Sequence, residues 1–253
     1  MTSFPLPLFF VHIDKAGGLS VIAVLREHFE PSEICSHPPN DAWRTRDLGG
    51  YRLYAGHFTH DFFGGRGGTK LIMMRHPVAR IVSLYDFYRS HRPEYLATVQ
   101  PRLPGPAVAR AGDLTHFLQT KDPDVIEPSS NTVAHRLLGR RYYELLPNED
   151  AVLAEAIREL RDFAWIGITE LFEPSIQLLC GTFGWAVPEA MPKENSTYED
   201  HSKNPHLEPV VKTVPTEKER ELILQRNRID LALYDEARNL LNERMSRQDA
   251  RLR

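Results

Sequence analysis

The sequence has little cysteine and no long hydrophobic run. Its 253 residues include two cysteines, Cys35 and Cys180, which lie far apart and in no C-x-x-C arrangement. A disulfide framework and a zinc knuckle are therefore not indicated, and a reducing compartment is expected. The apolar stretch from Phe4 to Ile13 has no basic segment before it, contains two prolines and is shorter than the roughly 20 residues of a membrane helix. We expect no transmembrane segment.

The sequence also has no large excess of charge of one sign. Its formal net charge is -3, so no global basic field favours nucleic acid as a partner, and an anionic ligand needs a local basic cluster. The segment from Gly64 to Arg92 provides one, because it carries a single acid, Asp86. Its basic residues are Arg66, Lys70, Arg75, Arg80, Arg89 and Arg92. The same pattern also fits a solvated helix face.

Two strand–loop–helix units predict an α/β fold. Leu8 to Ile13 is a continuous apolar run, typical of a strand buried on both faces of a parallel sheet, and Leu19 to Leu25 continue as a helix. A second unit has a strand at Lys70 to Met74 and a helix that begins at Pro77, which suits a first helical position. The length favours one domain, residues 1–253.

The rest of the chain continues this alternation. Residues 93–128 hold six prolines, so loops and short helices are expected there, and we interpret this region as one that shapes the acceptor site. Ala164 to Ile168 is predicted as another buried strand. Thr216 and Glu219 form a capping box that predicts a C-terminal helix over residues 216–245. The central sheet is therefore expected to be mainly parallel and flanked by helices.

A lysine and two glycines follow the first predicted strand. The stretch Lys15-Ala16-Gly17-Gly18-Leu19-Ser20 leads into a helix, where backbone N–H groups and the helix dipole favour an anion. The other interpretation is an ordinary strand-to-helix turn with a surface lysine. The stretch is not a Walker A sequence, because Lys15 precedes the glycines, and ATP hydrolysis or a nucleotide kinase is disfavoured.

The second unit supplies Arg75 at a strand end and Ser83 eight residues later on the following helix. Arginine offers a planar fork that matches a phosphate, and a serine hydroxyl can complete such a site. Each residue also has a structural interpretation: Arg75 as half of a salt bridge, and Ser83 as a small residue at a helix–sheet contact. The pairing of the two favours a second anion site.

These two segments resemble a known family. Phe10-Val-His-Ile-Asp-Lys-Ala-Gly-Gly-Leu-Ser20 looks like the 5′-phosphosulfate loop of sulfotransferases that use 3′-phosphoadenosine 5′-phosphosulfate (PAPS), and Arg75-His-Pro-Val-Ala-Arg-Ile-Val-Ser83 is similar to their 3′-phosphate motif. The order and spacing of the motifs agree with the family. The resemblance is closest to the carbohydrate branch that includes heparan sulfate 2-O-sulfotransferase. Shorter similarities occur at 54–58, 131–139, 165–170 and 227–234.

The resemblance implies a P-loop-like three-layer α/β fold, with PAPS as co-substrate and 3′-phosphoadenosine 5′-phosphate (PAP) as product. Arg75 and Ser83 are expected at the 3′-phosphate. The residues expected around the 5′ side of the donor are Lys15, Ala16, Gly17, Gly18, Leu19 and Ser20. The chain departs from the family pattern at Asp14, where proline is usual, at Leu19, where threonine is common, and at His76, which replaces an acid.

Sulfuryl transfer is similar to phosphoryl transfer, an in-line displacement in which charge builds on the leaving nucleotide. Lys15 is the expected catalytic cation, and His57, in its Gly-His context, resembles the family's catalytic histidine and is the expected general base. Heparan-type members have a further histidine where this chain has Ala55. His60 is the reserve base and a candidate acceptor contact. Either histidine can instead be a hydrogen-bonded structural residue, and no metal is expected.

Arg136 either meets an anionic acceptor or pairs with a neighbouring carboxylate, and the segment from Lys193 to Thr197 resembles a loop in which the family places polar ligand contacts. We interpret four further residues as fold-defining rather than catalytic: Trp165, Glu170, Asp230 and Tyr234.

The sequence thus predicts a sulfotransferase with a nucleotide donor and a hydroxylated acceptor, a glycan by resemblance, with glycolipids, small metabolites and tyrosine left open. A PAPS- or PAP-binding protein without turnover is the main alternative. The absence of a membrane anchor and the initiating Met1 favour a bacterial-type cytoplasmic enzyme. The sequence does not determine the oligomeric state.

Overall fold

The computed structural model describes residues 4–36, 49–99, 104–192 and 204–252. Its centre is a sheet in the order β2-β3-β1-β4-β5, and every pairing in it is parallel. The strands are Leu8–Val11 (β1), Ile34–Ser36 (β2), Leu53–Gly56 (β3), Thr69–Met74 (β4) and Trp165–Ile168 (β5). The predicted three-layer α/β fold, a parallel sheet flanked by helices, is confirmed.

The helices connect these strands and cover the sheet. Short 3₁₀ turns lie at Pro31–Glu33 and Thr169–Leu171. The α-helices are Gly18–Arg26 (α1), His60–Phe63 (α2), Pro77–Arg89 (α3), Pro93–Val99 (α4), Pro104–Ala111 (α5), Leu114–Gln119 (α6), Pro123–Ser129 (α7), Thr132–Leu138 (α8), Arg140–Leu145 (α9), Glu149–Arg161 (α10), Phe172–Phe183 (α11), Glu217–Arg226 (α12) and Arg228–Leu252 (α13). Among the helices described, none combines the length and the apolar character needed to cross a membrane.

The apolar runs form strands because both of their faces are covered. Every residue of β1, β3 and β5 is buried, as expected for strands between two helical layers. The strand boundaries agree with the sequence-based expectation to within two residues, since β1 ends at Val11 rather than Ile13. The main core joins the sheet to α1, α8, α10, α11 and α13.

The proline-rich region, residues 93–128, is mostly helical in its described part. Pro93, Pro104 and Pro123 each open a short helix, which suits proline because the first N–H of a helix has no intrahelical partner. Apolar residues of α5, α6 and α7 pack with α3 and α12 in a second apolar cluster. The short helices are confirmed, while the acceptor-shaping role stays a prediction.

The prediction of one continuous C-terminal helix over residues 216–245 was wrong, because two helices occupy this region. The capping box is present, since Thr216 and Glu219 bond to each other's backbone N–H groups. The helix then ends at Asn227, whose backbone leaves the helical region at φ -120°. Its side chain is used elsewhere: the amide donates to the carbonyl oxygen of Ser129 and accepts from the backbone N–H of Asn131. A separate helix, α13, continues to Leu252.

A buried polar network connects α3, α8 and α13. Arg80 is 1% exposed and donates to the carbonyl oxygen of Pro128 and the hydroxyl of Thr132. Burial lowers the pKa of Arg80, and the buried carboxylate of Asp230 acts in the opposite direction. It also accepts from the backbone N–H groups of Val133 and Ala134 at 3.0 Å each, and so caps the first turn of α8. The structural interpretation of Asp230 is confirmed by these contacts.

The other residues interpreted as fold-defining also have structural partners. The Trp165 indole is fully buried and donates to the carbonyl oxygen of Ser175. Glu170 accepts from the backbone N–H of His76 and from the Tyr234 hydroxyl. These bonds attach the end of β5 to the start of α3 and to α13.

We expect Asp230→Ala to lower the free energy of unfolding by about 3 kcal/mol, because it leaves Arg80 buried without its carboxylate and two N–H groups without an acceptor. Asp235→Ala, an exposed position on the same helix, should change it by less than about 0.5 kcal/mol. Chemical denaturation of both variants measures the difference. Equal stabilities for the two would contradict the role assigned to Asp230.

Candidate functional site

The strand order brings the predicted site residues to one edge of the sheet. β1 lies between β3 and β4, with Val11 opposite Gly56 on one side and Ile72 on the other. Because parallel strands all end at the same edge, the segments that follow β1, β3 and β4 leave the sheet side by side. These segments carry Lys15, His57 and Arg75. The sequence alone contains no information that β1 is the central strand.

The loop between β1 and α1, residues 12–17, is held from two neighbouring strands. The guanidinium of Arg75 donates to the carbonyl oxygen of Lys15 at 3.0 Å. The hydroxyl of Thr169 lies 2.7 Å from the carbonyl oxygen of Ala16 and 3.0 Å from that of Met74. The ends of β4 and β5 therefore fix the loop in place.

The loop has the backbone conformation of an anion-binding turn. Lys15 and Gly17 have positive φ values of 62° and 75°, a left-handed conformation that glycine adopts without strain. At Gly18 a side chain would collide with the ring of His12. The first N–H groups of α1, at Gly18, Leu19 and Ser20, begin without intrahelical acceptors and carry the positive end of the helix dipole. This supports the phosphate-site interpretation of the loop.

Lys15 is a half-buried cation next to a second cation. Its ammonium lies 4.1 Å from the centroid of the Phe87 ring, a cation–π contact. Burial and, to a smaller extent, the nearby Arg75 lower the pKa of Lys15 to about 8, while Asp14 acts in the opposite direction. An anion placed between Lys15 and Arg75 would relieve this repulsion, so the two side chains form an electrostatic site for a negatively charged group.

Ser83 joins this cluster only indirectly. It is buried on α3, four residues before Phe87, and so lies on the helix face that contacts Lys15. The basic residues around it are used in different places: Arg80 in the buried network, Lys70 beside Glu159 at 3.7 Å, and Arg92 on the carbonyl oxygen of Leu207. The basic cluster seen in the sequence is therefore dispersed, and Arg75 is the member that bonds to the loop.

His57 lies on the other side of the loop and is accessible to solvent. Its Nδ1 is 2.8 Å from the carbonyl oxygen of His12, and the two histidine rings stack at 4.4 Å. A carbonyl oxygen only accepts, so Nδ1 carries a proton, and Nε2 is the nitrogen at which the ring can exchange its other proton. The side chain is 35% exposed, which leaves the ring within reach of a ligand.

Asp14 and Arg136 complete the surroundings of His57. One carboxylate oxygen of Asp14 lies 3.3 Å from Nε2 of His57 and the other 3.8 Å from Arg136. Arg136 also donates to the carbonyl oxygen of His57 at 2.7 Å. Burial raises the pKa of Asp14, but His57, Arg136 and His12 together outweigh it, and the net pKa is lowered. Of the two interpretations of Arg136, the structure places it beside a carboxylate.

His60 lies outside this arrangement in its described contacts. Its Nε2 is 3.5 Å from Glu159 of α10, which also contacts Lys70 and Arg141. The segment from Lys193 to Thr197, the predicted polar loop, lies outside the described residues.

Sequence reasoning missed three members of the site. Asp14 was noted only as a departure from a family pattern, and neither Phe87 nor Thr169 was assigned a ligand-facing or loop-holding role. Asp14 and Thr169 each follow the end of a predicted strand, a position that in parallel sheets faces the ligand edge. Phe87 carries no such signal, because its contact with Lys15 depends on where α3 packs.

The described residues also include no metal-binding cluster and contain a polar cleft away from the candidate site. No group of three or more histidine, cysteine, aspartate or glutamate side chains in the described ranges is arranged to hold a metal ion. A cleft of about 710 Å³ is lined by polar residues of α10 and α13, including Arg161, Glu236 and Arg247, and contains none of the predicted site residues.

The pKa of Lys15 predicts how nucleotide affinity depends on pH. The Lys15 side chain is charged below about pH 8, and this charge is lost as the pH rises through this value. Affinity for PAP should therefore fall about tenfold between pH 7 and pH 9. Titration calorimetry at both pH values measures the change. In Lys15→Arg the cation persists over the whole range, and the decrease should disappear; an equal decrease in this variant would show that another group titrates.

Comparisons with known proteins identify no relative. No protein-family model matches the sequence, and no curated protein matches it significantly. The resemblance to sulfotransferases therefore depends on the two sequence motifs alone.

Proposed function

We propose that this protein transfers the sulfuryl group of PAPS to a hydroxyl acceptor, with His57 as the general base. The observation that supports this most directly is the convergence of Lys15 and Arg75 at the start of α1, with His57 on the opposite side of the same loop. Lys15 and Arg75 would bind the nucleotide anion, and His57 would take the proton of the hydroxyl acceptor.

The β1–α1 loop is suited to the 5′ side of the donor. Its helix N-terminus and its glycines accept a phosphosulfate closely, and Lys15 balances the charge that builds on the bridging oxygen of the leaving nucleotide. Because Lys15 is half-buried beside the ring of Phe87, its charge is screened less than it would be in water.

Arg75 is the proposed contact for the 3′-phosphate. Arg75 bonds to the carbonyl oxygen of Lys15, and its planar guanidinium matches the geometry of a phosphate. We propose that this side chain both holds the loop and meets the 3′-phosphate. The hydroxyl of Ser83 would reach that phosphate along the face of α3 that carries Phe87.

The chemical step is an in-line displacement. The acceptor O–H bond breaks and its proton goes to Nε2 of His57, while the acceptor oxygen forms a bond to sulfur. The bond between sulfur and the bridging oxygen breaks, and PAP leaves with the electron pair. We propose a carbohydrate or glycolipid acceptor and a cytoplasmic location, both on the family resemblance.

A nucleotide-binding protein without turnover is the second candidate. It is favoured by Leu19, an apolar side chain at the helix N-terminus where a hydroxyl is common in the family. The two candidates differ in transfer and not in nucleotide binding. A screen of labelled PAPS against sugars, glycolipids and phenols separates them.

We expect Lys15→Ala and Arg75→Ala each to weaken PAP binding at least about tenfold, because a hydrogen bond to a charged group contributes about 1.5–3 kcal/mol. Lys218→Ala removes an exposed lysine on α12 and should bind PAP as the unsubstituted protein does. Calorimetry measures all four proteins. Absence of PAP binding by the unsubstituted protein would overturn the proposed function.

His57→Ala should separate binding from chemistry. PAP affinity should stay within about twofold, whereas transfer from PAPS should fall about 10²- to 10⁴-fold, the usual contribution of a general base. Labelled sulfate transfer and calorimetry on the same preparation give both values. Transfer unchanged in this variant would exclude His57 as the base.

A further inference from the structure

The carboxylate of Asp14 occupies a defined place between the donor loop and the proposed base. It lies one residue before Lys15, 3.3 Å from Nε2 of His57 and 3.8 Å from Arg136. Arg136 is itself tied to the backbone of His57 by a 2.7 Å bond to its carbonyl oxygen. Asp14 therefore meets the ring of His57 directly and its backbone through Arg136.

The two ring nitrogens of His57 have different partners. Nδ1 donates to the carbonyl oxygen of His12, so the orientation of the ring is set from that side. Nε2, the nitrogen that would take a proton, faces Asp14. When Nε2 takes the proton, the imidazolium forms next to an ionised carboxylate, which stabilises it.

Asp14 itself is poorly suited to be the base. Its pKa is lowered because His57, Arg136 and His12 outweigh the effect of burial, and a carboxylate in this environment has little affinity for a proton at neutral pH. Its charge instead acts on its neighbours. The side chain is 31% exposed, so the pair with His57 can open toward an incoming hydroxyl.

We propose that Asp14 is a positioning residue that acts through His57: its partner Arg136 holds the His57 backbone, and its carboxylate stabilises the imidazolium formed when Nε2 takes the proton of the acceptor hydroxyl. This inference depends on the proposed sulfuryl transfer. The atoms balance within that step, because the proton moves from the acceptor oxygen to Nε2 and Asp14 forms no covalent bond.

The same charge opposes donor binding. Asp14 is adjacent in sequence to Lys15, which is part of the anion site, and a carboxylate near a bound nucleotide anion repels it. Asp14 therefore has effects of opposite sign on the two measurable quantities: it supports transfer and weakens nucleotide affinity. A residue that merely keeps the loop folded would support both.

The test is the pair of values for Asp14→Asn, which removes the charge and preserves the shape. PAP affinity, measured by calorimetry at pH 6.5, should be unchanged or rise up to about tenfold, whereas the transfer rate at saturating PAPS should fall at least about tenfold. The acceptor is the best one from the PAPS screen, or water, followed as release of labelled sulfate. Asp14→Glu, which restores the charge, should recover part of the rate.

The matched control is Asp61→Asn. Asp61 is a partly buried carboxylate on α2 that accepts from the backbone N–H of Arg140, and its loss should leave both values within about twofold. A transfer rate in Asp14→Asn within twofold of the unsubstituted protein would overturn the inference, and so would a parallel loss of affinity and rate. If the unsubstituted protein binds no PAP, or transfers to no acceptor and not to water, the proposed function fails and this inference fails with it.

Discussion

Strand β1 makes parallel hydrogen bonds along both of its edges, to β3 and to β4, and the site depends on this pairing. A strand in the middle of the sheet has its carboxyl end between the ends of two neighbours, so its following loop can be held from both sides. Arg75 and Thr169 bind the loop carbonyls from the β4 and β5 ends, and His57 packs on it from the β3 end. Residues from the ends of three strands therefore contact this loop.

A second constraint comes from buried charge. Arg80 lies between helices with Asp230 as its main charge partner, and Asp230 at the same time caps α8. Burial of one ion would cost several kcal/mol, and hydrogen bonds on each side of the pair offset this cost. The break at Asn227 belongs to the same network, since its side chain bonds to residues 129 and 131. Loss of helical continuity there is the cost of satisfying buried backbone groups.

In the candidate site, two neighbouring positive charges repel each other. Burial, with a smaller contribution from the charge of the nearby Arg75, lowers the pKa of Lys15 to about 8. Such a pair is a poor stabiliser and a good anion receptor, because a bound anion removes the repulsion. The carboxylate of Asp14 lies on the side of this anion site that faces His57. In the proposed function, donor affinity and acid–base chemistry would be linked through this carboxylate.

Patterns of residues that lie close together in the sequence determined many of the helices and strands. Continuous apolar runs fixed the strands, prolines and capping boxes fixed helix starts, and a glycine turn after an apolar strand identified the loop of Lys15, because these depend on residues near one another in the chain. Strand order, the partner of Arg75, the contact of Phe87 with Lys15 and the break at Asn227 were decided by tertiary structure. They depend on packing between segments that are distant in the sequence, as in the bond from Arg75 to Lys15, which are 60 residues apart. The pairing of Asp14 with His57, 43 positions later in the chain, is the clearest case: sequence presents each residue, and only the central position of β1 brings them together.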